Sequence, residues 1–449
     1  MLEPIANVLQ VSVVELLKGE RIGSDATITM QEAQQIVNES ISISEDKHIK
    51  KQNIHKKIIY MLCCIMIFLL SWLMNAPYFL YTAILVMIAL PGISFAKKKT
   101  FVDEPHSYDV FKRLQGLFTI VILIHQLDER IWEFSEYGGE LSWYRPFGVL
   151  LMGFFFFSFG YEVVISLQTE KNYLKTFLLH RIGMVLGTFF ICNSAYIFIT
   201  LLQGTRYTTD VLIKAFSGVL LLNDHMWFLV EILLLYTVFY IGFCFIKNNI
   251  VQYGWMLAVI LFIMVISFLN GHDIAGKTIS NWFEGEWWYN TILLFFVGMV
   301  VAQYYDKIIL FLKKWYFIIF IIAISVFAIY FHRMESILEK FGYWTETATT
   351  MGYYDKAITF AVQFPMILCF TIIVLLLMMK IKVNNKVLDF MGEISLGIIM
   401  MQNTIILIFE HMVWKQNVHV YCIGIIVATV ISAIGINGIK RIVWETIDL

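Results

Sequence analysis

The sequence predicts an all-α, polytopic membrane protein. Of its 449 residues, 59% are hydrophobic and only 15% are charged, whereas soluble domains carry about 25% charged residues. Apolar runs of roughly 17–25 residues recur along the chain, and each is long enough to cross about 30 Å of hydrocarbon. Because backbone polar groups inside a bilayer must be satisfied internally, these continuous runs indicate transmembrane helices.

The apolar runs divide the chain into three parts and predict about twelve transmembrane helices. Residues 1–57 are polar and amphipathic, and they form a small helical head that ends in a basic run. Residues 58–96 form a transmembrane hairpin, since only Asn75, Ala76 and Pro77 separate two apolar runs. Residues 108–441 contain ten further spans, at roughly 112–129, 147–168, 182–203, 225–246, 254–270, 288–303, 315–332, 357–380, 388–411 and 418–437.

The loops between these spans alternate in charge. TEKNYLKTFLLHR, DKIILFLKKW and KIKVNNK are basic, whereas DERIWEFSEYGGE and the loop that ends in NWFEGEWW are acidic and aromatic. Cytoplasmic loops carry an excess of Lys and Arg, so both termini are expected in the cytoplasm of a multi-pass plasma-membrane protein. The alternation requires that Asp210 to Leu222 does not span, and we predict an external re-entrant or interfacial helix there.

Charge and cysteine spacing narrow the possible partners. The net charge is -1, which gives no general affinity for nucleic acid. The six cysteines lie inside apolar runs and show no metal-ligand spacing, so buried thiols are expected and a metal site is not.

His125 is the sharpest signal for chemistry, because ionisable groups inside a span are costly and often functional. It is also compatible with a structural hydrogen bond to a neighbouring helix. In the predicted topology Glu231 lies at a similar depth, in the stretch HMWFLVEILLLY. A carboxylate that orients an imidazole makes a competent general base, so we predict that His125 and Glu231 pair.

Basic residues gather at the cytoplasmic ends of the first core helices. Arg113, Lys175 and Arg181 belong to this group, and Glu162 is a second carboxylate in the membrane nearby. The cations are compatible with simple anchoring of helix ends. The alternative is a basic mouth for a phosphorylated donor such as coenzyme A.

Four motifs in order give a family resemblance. They are FFFFSFGYEVVISLQTEKNYLKTFLLHRIGMVL, HMWFLVEILLLY, NTILLFFVGMVVAQYYDK and VLDFMGEISLGIIMMQN. Together they resemble the acyltransferase-3 family of integral-membrane acyltransferases over residues 108–441. The resemblance implies transfer of an acyl group, usually acetyl, from cytoplasmic acyl-CoA to a hydroxyl of an extracytoplasmic glycan or lipid-linked sugar.

The resemblance also implies roles for individual residues. The family's histidine at the end of the first core helix corresponds to His125, which would deprotonate the acceptor hydroxyl. Gln115 occupies the position where the family has a donor-binding Arg or Lys. The candidates for binding acyl-CoA are therefore Gln115, Arg113, Lys175 and Arg181.

Other departures from the family pattern leave a second function open. Met184 replaces a basic residue, the Ser-Gly pair is displaced to Ser158 and Gly160, and Gln402 replaces a histidine of the penultimate helix. A non-catalytic membrane sensor or scaffold that signals through the head is therefore the alternative. A transporter is the third possibility. Transporters are expected to have inverted repeats and helices broken by Gly or Pro at mid-membrane, and the sequence shows no such repeat.

The head has a resemblance of its own. LEPIANVLQVSVVELLKGERI is similar to the last helices of Xre/Cro-type helix-turn-helix domains, but the chain begins inside that pattern. Because a recognition helix needs the complete scaffold, these residues do not predict DNA binding. We expect a truncated domain or a small packing module.

Overall fold

The computed structural model describes residues 77–131, 146–269, 287–341, 353–410 and 418–447, apart from Lys98, together with Glu15, Ile65 and Tyr144. The chain divides into two units, Met1–Asn75 and Ala76–Leu449. Nearly all described residues belong to the second unit. Apart from Glu15 and Ile65, the predicted head and the first helix of the predicted hairpin lie outside the described residues.

Helices account for almost all of the second unit. In chain order they are α1 Pro77–Ala89, α2 Tyr108–Ile131, α3 Phe147–Thr169, α4 Tyr173–Phe177, α5 Met184–Leu202, α6 Thr209–Phe216, α7 Trp227–Phe245, α8 Asn249–Leu269, α9 Trp287–Asn290, α10 Leu293–Gln303, α11 Tyr305–Lys314, α12 Tyr316–Phe341, α13 Tyr353–Met378, α14 Lys386–Glu393, α15 Ser395–Glu410 and α16 Val418–Ile447. Leu178–Gly183 form a π-helical turn between α4 and α5. The described part of the unit also contains two short strands, β1 Ile93–Phe95 and β2 Ile381–Val383.

The predicted all-α, polytopic class is confirmed. Among the described residues, 8 helices are long and apolar enough to cross a membrane, or up to 10 when each of two bent pairs counts as one span. These ten correspond in order to the ten spans predicted for the core. Since successive spans alternate in direction, α2 begins and α3 ends on one side, which we name the Arg113 end. The opposite side, where α2 ends and α3 begins, is the His125 end.

Helix α6 supports the prediction that Asp210 to Leu222 does not span. It has 8 residues, which is about 12 Å of helix and far too short for the hydrocarbon core. The Thr208 side chain caps it by accepting a hydrogen bond from the backbone N–H of Val211.

The penultimate span differs from its prediction. Instead of one helix over residues 388–411, α14 and α15 meet at 66°. The Asn385 side chain begins α14 by accepting hydrogen bonds from Val387 and Leu388 N–H. Leu388 and Met391 are buried while the opposite face of α14 is exposed, so α14 lies across the Arg113 end as an amphipathic helix. The span prediction missed this bend, because the buried residues of α14 run on into the apolar sequence of α15.

Strand pairing at the Arg113 end was not predicted from the sequence. Helix α1 ends at Ala89, and Gly92 turns the chain with φ +82 before β1 pairs antiparallel with β2. The register places Ser94 opposite Lys382. The second apolar run of the predicted hairpin, which was expected to continue to Ala96, is therefore helix and then strand. The pairing connects residues upstream of α2 with the loop between α13 and α14.

Helix α3 lies at the centre of the core, and its run of four phenylalanines, Phe154 to Phe157, is almost completely buried. Glycines allow α3 and α10 to pack backbone against backbone. A Cβ added at Gly160 would lie 1.9 Å from the Phe295 carbonyl oxygen, and one added at Gly298 would lie 2.0 Å from the Phe157 carbonyl oxygen. Small residues at a helix contact are how membrane helices gain close packing without a hydrophobic driving force.

Candidate functional site

His125 lies in the second half of α2, about 9 Å of helix before its end, and is half-buried. Its ring packs directly on Gly148, in the first turn of α3. A Cβ added at Gly148 would lie 2.4 Å from His125 Nε2 and 2.8 Å from Cε1. Only glycine leaves room for the imidazole in this position, so α3 fixes the location of the ring.

A polar network surrounds this part of α2 at the His125 end. Gln402, on α15 and fully buried, donates from Nε2 to the Leu123 carbonyl oxygen at 2.8 Å. The next residue, Asn403, donates from Nδ2 to Asn223 Oδ1 at 2.9 Å. Asn223 Oδ1 also accepts from the backbone N–H of His225 at 3.2 Å. The network thus joins α2, α15 and the turn that precedes α7.

Arg130 extends the network to the end of α2. Its Nη2 donates to Asn403 Oδ1 at 3.4 Å, and its Nη1 lies 3.5 Å from Glu410 Oε1. The ion pair therefore joins the last turns of α2 and α15. Because this pair is only partly exposed, it is less weakened by solvent than a surface pair.

Glu231 lies on α7, about one turn from its start at the His125 end, and is completely buried. Neither of its carboxyl oxygens has a hydrogen-bonding partner among the described residues. The predicted hydrogen bond between Glu231 and His125 is therefore absent from this structure. A catalytic role for either residue stays a prediction, since catalytic hydrogen bonds are often formed only when substrate is bound.

Arg113, a predicted donor-binding residue, holds two elements of the Arg113 end together. Its Nε donates to Asp389 Oδ1 at 2.7 Å, and its Nη1 donates to the Val383 carbonyl oxygen at 2.9 Å. The guanidinium thus links α2 to β2 and to α14. Its charge is balanced by Asp389, although it retains further N–H groups.

Arg181 and Gln115 meet at Glu162, which is buried on α3. Gln115 Nε2 donates to Glu162 Oε1 at 3.0 Å, and Arg181 Nη1 lies 3.7 Å from Glu162 Oε2. Arg181 also donates to the Tyr173 hydroxyl at 3.1 Å and to Ser166 Oγ at 3.3 Å. The structure therefore brings together two predicted donor-binding residues and the carboxylate noted nearby.

The π-helical turn Leu178–Gly183 places Arg181 at this cluster. A π-turn holds one residue more than an α-turn, and the extra residue shifts the direction of the side chains that follow. Such turns are frequent at functional sites. Lys175, the last predicted donor-binding residue, is exposed on α4 just before the turn. Met184, immediately after it, is exposed as well.

Comparison with known proteins decides the family. The family model described as an acyltransferase domain, acyltransferase-3, matches residues 116–436. The chain belongs to this acyltransferase family. No curated protein and no solved structure matched the chain.

The two ends of the acyltransferase domain offer different chemistry. Arg113 and His125 are twelve residues apart on α2, which is about 18 Å along the helix axis. The Arg113 end carries the guanidinium groups of Arg113 and Arg181, whereas the His125 end carries the imidazole, buried amides and the Arg130–Glu410 ion pair. Within the described ranges, no group of three or more His, Cys, Asp or Glu side chains is placed to hold a metal ion.

Sequence reasoning missed three residues of the candidate site. Gly148, Asn223 and Asn403 contact or support the region of His125, and none of them is ionisable. Asn403 directly follows Gln402 in a quoted motif, so its position was available as a signal. Gly148 and Asn223 carried no signal, because a close approach between helices is not visible in one sequence.

Proposed function

We propose that this chain transfers an acetyl group from cytoplasmic acyl-CoA to a hydroxyl of an extracytoplasmic glycan or lipid-linked sugar. The observation that carries the proposal is the position of His125, which is half-buried on α2 and seated on Gly148 in a domain of the acyltransferase family. In this proposal the Arg113 end faces the cytoplasm, as do both termini, and the protein lies in the plasma membrane.

The proposed reaction uses the imidazole of His125 as a general base. His125 takes the proton of the acceptor hydroxyl while the oxygen attacks the thioester carbonyl carbon. The new C–O bond forms, the C–S bond breaks, and the leaving thiolate takes the proton back from the imidazolium. The products are the acylated acceptor and free CoA-SH, and the histidine returns to its starting state.

The proposed donor path runs between the two ends. Arg113, Lys175 and Arg181 at the Arg113 end would hold the phosphates of the donor, while its thioester reaches about 18 Å towards His125. The carbohydrate acceptor would approach from the His125 end and present its hydroxyl to the imidazole of His125. The membrane separates the two substrates, which explains why the histidine and the cations lie at opposite ends of one helix.

The test compares the turnover of acetyl-CoA by detergent-purified wild type and by the His125→Ala variant. We expect His125→Ala to lower thiol release by at least about 100-fold, because general-base catalysis contributes about 10²–10⁴-fold. His332→Ala is the matched control, since His332 is an exposed histidine in the half of α12 nearer the His125 end. Equal turnover by wild type and His125→Ala would refute the proposed role.

One observation favours the second candidate, a non-catalytic sensor or scaffold. Arg113 and Arg181 are each compensated by a carboxylate, and Gln115 is uncharged. A phosphorylated donor would have to compete with Asp389 and Glu162 for these cations.

Binding of acetyl-CoA, measured by calorimetry, separates the two candidates. The double variant Arg181→Gln/Glu162→Gln removes both charges of the buried pair together, which avoids leaving one charge uncompensated. If Arg181 binds the donor, this variant should weaken binding by about tenfold, the loss expected for one charged hydrogen bond. Absence of any donor binding by folded wild-type protein would favour the scaffold.

A further inference from the structure

Helix α11 turns away from the direction of the preceding span at the Arg113 end. It leaves α10 at an angle of 90° and is followed directly by the 26-residue span α12. Its 10 residues therefore occupy the turn between two spans. Ile309 packs inward, whereas Leu310 and Phe311 are 68% and 57% exposed. A short helix with apolar side chains directed away from the protein at this level is typical of an interfacial helix.

Ammonium groups collect beside the exposed apolar residues. Lys313 and Lys314 are exposed in the last turn of α11. Lys313 Nζ lies 5.8 Å from the centroid of the Phe101 ring, and Lys380 Nζ lies 3.8 Å from the same centroid. Lys314 Nζ lies 5.5 Å from the centroid of the Trp315 ring. We name Lys313, Lys314, Lys380, Phe101 and Trp315 the lysine patch.

The positive charge of the lysine patch is not cancelled. Among the described residues, no carboxylate lies within ion-pair distance of any of its three ammonium groups. Cation–π contacts with Phe101 and Trp315 orient the ammonium groups without neutralising them. Lys380 is additionally fixed by donating to the Thr100 carbonyl oxygen at 2.6 Å. An anion is therefore the complementary partner.

We propose that the lysine patch binds the phosphate headgroup of an anionic phospholipid. Leu310 and Lys313 are three residues apart on α11, so an exposed apolar side chain and an ammonium group are neighbours on the helix surface. The acyl chains of a phospholipid would contact the apolar side chain of Leu310, and its phosphate would contact the ammonium group of Lys313. A soluble phosphate compound would leave Leu310 and Phe311 in contact with water, which is why the lipid is the better partner.

This inference does not depend on the proposed acyl transfer, because the lysine patch shares no residue with the His125 region. The test is native mass spectrometry of the full chain, titrated in detergent with phosphatidylglycerol or with phosphatidylcholine. We expect wild type to bind phosphatidylglycerol more tightly. A lysine near an anionic membrane surface contributes about fivefold in affinity, so Lys313→Gln/Lys314→Gln should lose about 25-fold.

The control variant is Lys247→Gln, an exposed lysine at the same end but between α7 and α8. It should bind phosphatidylglycerol like wild type. A second measurement needs no variant: bound phosphatidylglycerol should decrease as salt rises, since exposed charges are screened. Equal binding of the two lipids by wild type, or unchanged binding by the double variant, would overturn the proposal. Displacement of the lipid by acetyl-CoA would also overturn it, because the patch would then be a soluble-phosphate site.

Discussion

Replacing Gly148 with alanine tests whether the position of the His125 ring controls turnover. The added Cβ would lie 2.4 Å from His125 Nε2, whereas ordinary van der Waals contacts begin at 3.4 Å. The imidazole must therefore move by about 1 Å. A displacement of this size in a reacting group can cost about 100-fold in rate. We expect kcat to fall by about that factor.

The effect on stability should be small in comparison. Overpacking usually costs about 1–3 kcal/mol, and here the atom that must move is at the end of a side chain that can rotate. The assay measures thiol release from acetyl-CoA, together with thermal unfolding in the same detergent. Gly187→Ala is the control, because a Cβ at Gly187 would meet nothing within 4 Å. A Gly148→Ala protein with the kcat of wild type would refute the assignment of His125 as a base held in place by α3.

Three further predictions concern other parts of the bundle. Glu231→Gln should lower turnover by about tenfold without loss of stability, since the amide fills the same buried volume; unchanged turnover would show that Glu231 does not assist His125. Gly298→Ala should destabilise the protein by more than about 3 kcal/mol in thermal unfolding, because its Cβ would lie 2.0 Å from a backbone oxygen of α3. The control Gly254→Ala should not destabilise the protein, because a Cβ there meets nothing within 4 Å. An equal loss of stability in Gly298→Ala and Gly254→Ala would contradict the packing argument. Burial lowers the pKa of His106, which precedes α2, from 6.5 to about 4. As pH falls, the unfolded chain therefore binds a proton at His106 near pH 6.5, whereas the folded protein binds it only near pH 4. The free energy of unfolding is thus highest above pH 6.5 and decreases as pH falls towards 4. Between pH 8 and pH 5 the free energy of unfolding should decrease by about 2 kcal/mol because of His106, and the decrease should be smaller in His106→Gln. The same decrease in the variant and in wild type would contradict this prediction.

The sequence placed the candidate residues at the correct ends of the bundle. Span direction follows from counting apolar runs, so His125 and Glu231 were predicted near one end and Arg113 and Arg181 near the other. The structure has the same arrangement. It does not have the predicted hydrogen bond between His125 and Glu231, because equal depth does not fix the direction in which two side chains point.

The charge balance at the Arg113 end is another result that the sequence did not indicate. Arg113 and Asp389 are 276 residues apart in the chain, and no local pattern connects them. Glu162 was noted as a carboxylate within the membrane, yet only the packing of α2, α3 and the π-helical turn shows that Gln115 and Arg181 share it. Contacts of this kind arise from helices that are distant in sequence.

By itself the sequence determined the all-α membrane class, the ten core spans and the resemblance to acyltransferases, because each depends on composition, on apolar length or on local motifs. The tertiary structure alone decided which residues meet. It seated the His125 ring on Gly148, joined Gln402 and Asn403 to neighbouring elements, and bent the penultimate span. The physical reason is that hydrophobic length is a property of one segment, whereas close packing and hydrogen bonding between helices depend on surfaces from several segments at once.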